Sequence, residues 1–501
     1  MGDFWQPRVT IALALAVIAG GCAVGPDFHR PAAPVVGTYT AQPLSVKTAS
    51  ADVVGGAEQI LEPGRDIPAQ WWKLFHSPRI NQLIAEAIAK NPNLKAAQAA
   101  LRVAAENVAA QQGYLYPSIT GGVAGARTRQ LAYTKGQPNG LGSPYNLFNA
   151  SVSVTYTLDV FGGIRRQIEA YRAQEEYQRF QLEATYLALT ANVVTAAVQE
   201  ASLRGQVAAT LELIKDQRDQ LNIVRSEFKL GGASLADVLA QETLVAQTEA
   251  TLPPLRKQLE IERDLLRLLT GHLPSDDVGE DFDLANLHLP GKLPVSLPSR
   301  LVEQRPDIRA YQALLHSASA EVGVATANML PQFTIGGALG SVASSAVNPA
   351  SLLFSIGAGI AQPIFEGGTL LHRRRAAIAA YDQALDEYRY TVLVAFQNVA
   401  DTLHSLECDA AAVRAEAAAE NAAGQSLRVA REQYQGGYIP YLSLLTAQNY
   451  YQQTLLTLIQ AEAGRYADTA ALFQALGGGW WHRADATVAD SSSHYQEEAA
   501  R

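Results

Sequence analysis

The sequence predicts a mixed α and β membrane protein made of two similar halves, each joining a pair of amphipathic strands to very long helices. Three observations carry that prediction. Short phrases recur at one fixed spacing, two stretches alternate polar with apolar residues, and two long segments repeat an apolar residue at every seventh position. Pro117 in YPSITGG and Pro331 in LPQFTIGG stand 214 positions apart, and Pro92 in NPNLKAAQAAL and Pro306 in RPDIRAYQALL are separated by the same 214. One spacing shared by two phrases is an internal repeat.

A chain of 501 residues with 48% hydrophobic content is long enough for two or three domains, or for one architecture built from a duplicated half. The repeat favours the second. The net charge of −9 comes from 48 acidic and 39 basic residues mixed along the chain, and without a basic stripe nucleic acid is excluded as an expected partner. Residues 1–21 read as a signal peptide, because the apolar run from Val9 to Ala19 is too short to cross a bilayer and suits the core of a secretory leader. Ala19, Gly20 and Gly21 before Cys22 resemble a lipobox, which makes Cys22 the lipidation candidate; the alternative is an ordinary small residue of the leader. Ala23 follows it, not the aspartate of inner-membrane lipoproteins, so the outer membrane is the expected address. Cys408 stands alone in a helical pattern and is expected to be a packed small residue, so no disulfide framework or cysteine metal cluster can be drawn.

No later stretch has about eighteen consecutive apolar residues, so contact with a membrane falls to strands. In LFNASVSVTYTL, Phe148, Ala150, Val152, Val154, Tyr156 and Leu158 fall on one face, and Asn149, Ser151, Ser153, Thr155 and Thr157 on the other. SLLFSIGAGIAQPIF repeats the pattern with Leu352, Phe354, Ile356, Ala358 and Ile360. Each stretch is preceded by a partner strand through a polar loop such as TKGQPNGLGSP, giving hairpins over about 117–161 and 331–365. Strands of this length with one apolar face suit a transmembrane barrel; the alternative is a soluble sandwich.

The glycine pairs Gly162, Gly163 and Gly367, Gly368 follow the hairpins and open long helices over about 163–229 and 367–435. Tyr186, Val193, Val207, Ile214, Leu221 and Phe228 share one heptad register; Leu385, Val392, Val399, Leu406, Val413, Leu427 and Tyr434 share another, broken at Glu420. Sevenfold spacing implies supercoiled helices. Each rod ends in a glycine turn, FKLGGAS or YQGGYIP, and a helix returns over about 234–270 or 440–476. Alanine-rich helices from about Asn93 and Pro306 lead into the strands. Arg165, Arg166, Arg373, Arg374 and Arg375 follow the glycine pairs and read as a solvated basic collar, with lipid head groups or neighbouring acids as the alternative. Periodicity and apolar content fall away after Leu476, so 477–501 is expected to be a flexible tail.

Four strands cannot close on themselves, and their unpaired edges would cost several kcal/mol per group in hydrocarbon. Eight strands make a barrel filled by its own side chains, so an open conduit needs more, and three chains would supply twelve.

The segments IPAQWWKLFHSPRINQLIAEAIAKNPNLKAAQAAL, LPSRLVEQRPDIRAYQALL, LLTGHLP and FQALGGGW resemble the signature segments of the TolC-like outer-membrane factors. CAVGPDFHRP resembles the mature start of their lipoprotein branch, the NodT type. The likeness covers about Cys22 to Trp480 and implies a homotrimer with a twelve-stranded outer-membrane β-barrel, four strands per chain, continued by a long periplasmic α-helical barrel. It divides the chain into the signal peptide 1–21, a lipidated N-terminal segment with the start of an equatorial region 22–78, repeats 79–300 and 301–476, and the tail 477–501. It also implies the exit duct of a tripartite efflux pump, engaged by a periplasmic adaptor protein and an inner-membrane transporter of the resistance-nodulation-division class, with membrane lipid at Cys22 and the barrel. No cofactor or resident metal is implied.

By the same resemblance, Gly231, Gly232, Gly436 and Gly437 mark the adaptor-docking tips, and Leu442, Asp237, Ser443 and Thr446 the periplasmic gate. Leu442 would form a hydrophobic constriction; the alternative makes it the first buried residue of the returning helix. Family members often carry aspartates where Ser443 and Thr446 stand, which leaves Asp237 as the remaining acidic candidate and puts cation binding in doubt; Asp237 could equally support the helix start. An enzyme is disfavoured by the absence of HExxH, GxxxxGK[ST] and nucleophile-elbow patterns, with nine histidines scattered along the chain. A purely structural coiled-coil lipoprotein leaves the hairpins without a role. Ducts for protein secretion or heavy-metal efflux remain as alternatives, although Met1 and Met329 are the only methionines, too few for a thioether path.

Overall fold

The computed structural model describes residues 23–483 apart from 44, 130, 135–136, 277–278, 280–281 and 345–346. Its first half runs through β1 (Ile60–Pro63), a 3-10 turn at Trp71–Phe75, α1 (Pro78–Lys90), α2 (Pro92–Gln112), β2 (Ser118–Thr128), β3 (Leu131–Thr134), β4 (Gln137–Leu141), β5 (Tyr145–Leu158), α3 (Gly163–Lys229) and α4 (Leu235–Thr270). The second half follows with β6 (Lys292–Val295), α5 (Pro298–Gln304), α6 (Pro306–Ala327), β7 (Gln332–Ser344), β8 (Val347–Ala361), α7 (Thr369–Gln435) and α8 (Tyr441–Ala475). Among the described residues no helix is long and apolar enough to cross a membrane. The chain folds as two compact units.

The first unit comprises Ala100–Arg179, Ala310–Arg389 and the chain up to Pro31. Its sheet is antiparallel in the order β2-β5-β7-β8, so the β5–β7 pairing joins the two hairpins and β2 and β8 remain as open edges. Register fixes the two faces: Val152 lies opposite Gly121 and Leu339, whereas Ser153 lies opposite Thr120 and Ala338. Ile119, Val123, Phe148, Leu339, Phe354 and Ile356 all project exposed from the first of these faces. Where a plain loop is expected in TKGQPNGLGSP, β3 and β4 pair as a short ribbon. Leu131, Tyr133 and Thr134 are strand formers by residue type, which favours pairing here over a plain loop.

The N-terminal segment is seated on this unit. Val24 donates its N–H to the Phe161 carbonyl at 3.0 Å, and Phe28 stacks on His316 with centroids 4.4 Å apart. Arg166 Nε donates to the Val24 carbonyl at 3.1 Å, while its two terminal nitrogens reach Asp27 at 2.7 Å and Glu169 at 2.8 Å. The hydrogen bond from Arg166 holds the Asp27 carboxyl below its ordinary range. Gly25, at φ +99°, lies so close to Gly323 that an added Cβ would stand 2.4 Å from its Cα. The solvated collar is therefore corrected at Arg166, which is buried, because a pattern of local charge does not reveal a partner 139 positions away. Arg165 pairs with Asp159 at 3.2 Å, and Arg373, Arg374 and Arg375 are exposed. Cys22 lies outside the described residues.

The second unit comprises Ala32–Ala99, Phe180–Arg309 and the chain from Tyr390 onward. Val193, Ile214 and Leu221 of α3 and Val392, Val399, Leu406 and Val413 of α7 are buried along the heptad seams. Cys408, two positions past Leu406, falls off that seam and is exposed, correcting the expectation of a packed residue. Trp71 stacks on Phe473 at 5.2 Å and meets Phe75 edge to face at 6.4 Å; all three are fully buried, as are Leu83 and Leu266. Arg465 is buried among the backbone carbonyls of Gly55 and Ala57, at 2.8 and 2.7 Å, which fasten the N-terminal linker to α8. The parallel pairing of β1 with β6 has no signal in the strand pattern, since four residues are too few to show alternation.

The flexible tail is corrected in its first residues. Gly477, Gly478 and Gly479 all take positive φ and turn the chain so that Trp480 Nε1 donates to the Gln304 carbonyl at 2.7 Å. Arg483 then lies 3.9 Å over the Tyr186 ring and 2.9 Å from Glu183. Two anchors, Trp480 and Arg483, hold what low periodicity alone assigns to disorder. The remainder, 484–501, lies outside the described residues.

Candidate functional site

The two glycine turns belong to the second unit, and each closes a 67-residue helix by the same device. After α3, Gly231 takes φ +82° and the Gly232 N–H returns to the Glu227 carbonyl at 2.8 Å. After α7, Gly437 takes φ +73° and the Tyr438 N–H returns to the Gln433 carbonyl at 2.8 Å. These are Schellman closures, in which a left-handed residue lets the chain cap carbonyls left over at the helix end.

The returning helices start differently. Ser234 caps α4: its Oγ accepts from the Asp237 N–H at 3.2 Å, and Asp237 Oδ2 accepts from the Ser234 N–H at 2.9 Å and hydroxyl at 2.6 Å. Asp237 thus completes a capping box. Pro440 occupies the corresponding place before α8 and supplies no side-chain cap. Tyr441 follows as a buried residue, 4% exposed, and Leu442 projects outward, 68% exposed. The reading of Leu442 as the first buried residue of the helix is corrected: Tyr441 and Leu444 hold that face. Ser443 and Thr446 are exposed beside Leu442, and the Thr446 hydroxyl donates to the Leu442 carbonyl at 2.8 Å.

Beneath the turns, Leu221 and Val224 of α3, Val238 and Val245 of α4, Leu427 of α7 and Leu444 of α8 form one apolar cluster. Two tyrosines tie the halves together across it. The Tyr434 hydroxyl donates to Glu227 Oε2 at 2.6 Å, and the Tyr441 hydroxyl donates to Gln241 Oε1, whose amide nitrogen donates to the Gln217 carbonyl at 2.8 Å. Their rings meet edge to face at 5.2 Å. Burial pushes both phenols well above the ordinary tyrosine range; the hydrogen-bonded Glu227 carboxylate adds to the effect at Tyr434. Arg431 reaches Asp216 at 2.9 Å in the same region. Sequence reading placed Tyr434 on a seam but missed Glu227, Gln241 and Tyr441, since polar partners on separate helices leave no periodic trace.

Among the described residues no group of three His, Cys, Asp or Glu side chains could hold a metal ion. The turns present apolar and hydroxyl groups, which can pack, exclude water and dock.

Comparison with known proteins agrees over the whole arrangement. The family described as outer membrane efflux protein matches residues 83–272 and 297–478. The probable efflux pump outer membrane protein TtgC of Pseudomonas putida is 28% identical over 487 residues, which cover 94% of this chain and 96% of that protein. The cation efflux system protein CusC of Escherichia coli is 25% identical, covering 95% of this chain and 99% of CusC. The solved outer-membrane channel OprN superposes with a TM-score of 0.79 at 26% identity, covering 92% of this chain and 100% of that one. The Campylobacter jejuni CmeC outer membrane channel shares the fold at a TM-score of 0.80. With both repeats matched and the mixed helix and sheet fold in common, the chain belongs to the outer membrane efflux protein family, whose members are outer-membrane channels of efflux systems and not enzymes.

Proposed function

We propose that three copies close one twelve-stranded barrel and form the gated, passive exit duct of a tripartite pump for drugs or other toxic small molecules. The supporting observation is the sheet of β2, β5, β7 and β8, with an exposed apolar face, a hydroxyl face and two open edges. Only shared closure satisfies those edges within hydrocarbon. A periplasmic adaptor docks at the turns around Gly231, Gly232, Gly436 and Gly437 and links the duct to an inner-membrane transporter of the resistance-nodulation-division class. Leu442 forms the water-excluding ring of the closed tip, flanked by Ser443 and Thr446, while Asp237 holds the neighbouring helix start. Cys22 carries the lipid that adds an anchor to the barrel.

Small-molecule cargo is supported by relatives named for antibiotic and toluene efflux. A metal-ion cargo is the second reading, favoured by the name of CusC. The test is accumulation of a fluorescent efflux dye in cells lacking the chain, restored with the wild type or with Leu442→Ser. Restoration by the wild type supports the duct, and increased permeability with Leu442→Ser supports the gate. Unchanged accumulation in a strain without redundant ducts shifts the assignment to metal ions.

A further inference from the structure

We infer that Arg374 at the start of α7 pairs with Glu106 on α2 of the next copy, which makes the arginine collar of the second repeat a clasp between copies and not a seat for lipid head groups. This pairing rests on the closed trimer proposed above and names the side chains that join its copies beside the barrel. Joining the β8 edge of one copy to the β2 edge of the next sets α7, which follows β8, beside α2, which leads into β2. The same junction already exists once inside the chain. There β5 pairs with β7, α3 follows β5, and α6 leads into β7. The internal junction is therefore a template for the one between copies.

Two offsets carry the template across. The 67-residue helices α3 and α7 start at Gly163 and Thr369, so one maps to the other at 369 less 163, or 206. Each follows a glycine at positive φ, Gly162 and Gly368, at the same offset. α2 maps to α6 at 214, the spacing shared by the prolines before and after both helices. Within the chain, Gln167 Nε2 donates to Glu321 Oε1 at 2.9 Å, and His316 Nε2 lies 2.9 Å from Glu169 Oε1. Ile168 and Ala320 stand at the level between these contacts, and both are buried. Transferred by the offsets, Ile168 becomes Arg374 and Ala320 becomes Glu106, while Gln167 and Glu321 become Arg373 and Asn107. An apolar level inside the chain is thus replaced between copies by a cation facing an acid.

Glu106 and Arg374 are both exposed on the single chain, and among the described residues neither has an ion pair within its own copy. They cannot pair there, because α2 and α7 flank opposite edges of the sheet, three strand spacings or about 14 Å apart. The level of Glu169 and His316 becomes Arg375 and Arg102, two cations, and Glu106 lies one helical turn from Arg102. The acid therefore offsets positive charge from both copies. A ring of three joins unlike patches head to tail, which is the arrangement that opposite charges on α7 and α2 require.

The test is trapping with a short bis-maleimide in the full chain carrying Cys408→Ala, with Glu106→Cys and Arg374→Cys introduced together. Covalent dimers and trimers on a denaturing gel are expected, while either cysteine variant alone runs as a monomer. Charge reversal supplies the second readout. Arg374→Glu lowers the fraction of trimer surviving at the wild-type midpoint of thermal dissociation by about twofold or more, and adding Glu106→Arg restores it. If Arg374 binds lipid phosphate instead, trapping yields monomers, Arg374→Glu reduces the anionic phospholipid that copurifies, and Glu106→Arg restores nothing. That result overturns the clasp and leaves the trimer standing. A folded chain that sediments as a monomer in mild detergent removes the shared barrel, and this inference with it.

Discussion

The two glycine turns descend from one repeat and have diverged in opposite directions. Set at an offset of 206 positions, Phe228 to Tyr434, they align Gly231 with Gly437, Ser234 with Pro440 and Asp237 with Ser443. The glycines keep the same left-handed geometry, because both chains must reverse after a long helix. The next residues do not. The first turn fastens its returning helix through its own side chains, by the Ser234 and Asp237 capping box. The second has no such cap and is held from outside, by Tyr434 to Glu227 and Tyr441 to Gln241. One turn is self-contained, and the other depends on its neighbour. A duplicated element thus carries two different means of support on the same backbone.

The sharpest way to break this contrast is to remove the external hold. Tyr441→Ala deletes a buried ring and its hydrogen bond, and the expected loss is about 3–5 kcal/mol of local stability. Its counterpart Leu235 is 55% exposed, so Leu235→Ala is expected to cost about 0.5 kcal/mol or less. Hydrogen exchange over the two turns measures both, and equal effects would remove the distinction.

The returning helices differ in the same sense further along. Glu462 of α8 is 8% exposed, whereas the aligned Arg256 of α4 is solvent-facing. Burial, with a contribution from Glu420 on α7, pushes the Glu462 carboxyl up to about 7. Because the folded pKa is raised, the folded state holds the extra proton. Stability present at acid pH is then lost as pH rises through about 7, by up to about 3 kcal/mol per protomer. Glu462→Gln is expected to leave the melting temperature at pH 5 nearly unchanged and to raise it at pH 8. A variant that stabilises equally at both values would show that the carboxyl is charged throughout.

The contrast between the turns was only half legible in the sequence. Glycine pairs and heptads mark where helices end and which face is inward, since both are local or periodic signals. The sheet was legible for the same reason: strict alternation from Phe148 to Leu158 fixes its two faces before any pairing is known. Pairing between β5 and β7, by contrast, joins segments separated by two long helices. Arg166 with Asp27, Trp480 with Gln304 and Tyr441 with Gln241 are likewise contacts over 139, 176 and 200 positions. No composition or period encodes them. At the turns Leu442 is named by the family resemblance, whereas the buried Tyr441 beside it, whose partner lies 200 positions away, leaves no such mark. Pro253 and Pro254, residues that ordinarily break a helix, lie inside the continuous helix α4.

A finer test separates the two external ties. Tyr434→Phe keeps the ring packed and removes the hydrogen bond to the Glu227 carboxylate, at an expected cost of about 1–2 kcal/mol. Glu227→Gln keeps an acceptor and should cost less than the tyrosine change. If the second turn is the releasable one, both raise entry of a large antibiotic normally excluded by the outer membrane, with Tyr434→Phe the stronger. An increase in entry without any change in exchange at the second turn would place the leak elsewhere.

A small effect is also expected from uncapping the self-contained turn, and it decides whether that turn is only a support. Ser234→Ala removes the hydroxyl that accepts from the Asp237 N–H, and it frees the Asp237 carboxylate from its closest donor. Loss of a helix cap costs about 1 kcal/mol, felt as fraying of the first turn of α4. The cluster under the turn, anchored by Val238 and Val245, is untouched, so permeability should stay at the wild-type level while exchange rises at residues 234–238. The freed carboxylate also provides an internal check, because an unengaged Asp237 ring would attract cations. Inhibition of conductance by a divalent cation in Ser234→Ala but not in the wild type shows that the capping box masks the acid. Inhibition of both alike shows that Asp237 already faces the pore, and the first turn then belongs to the gate as much as the second.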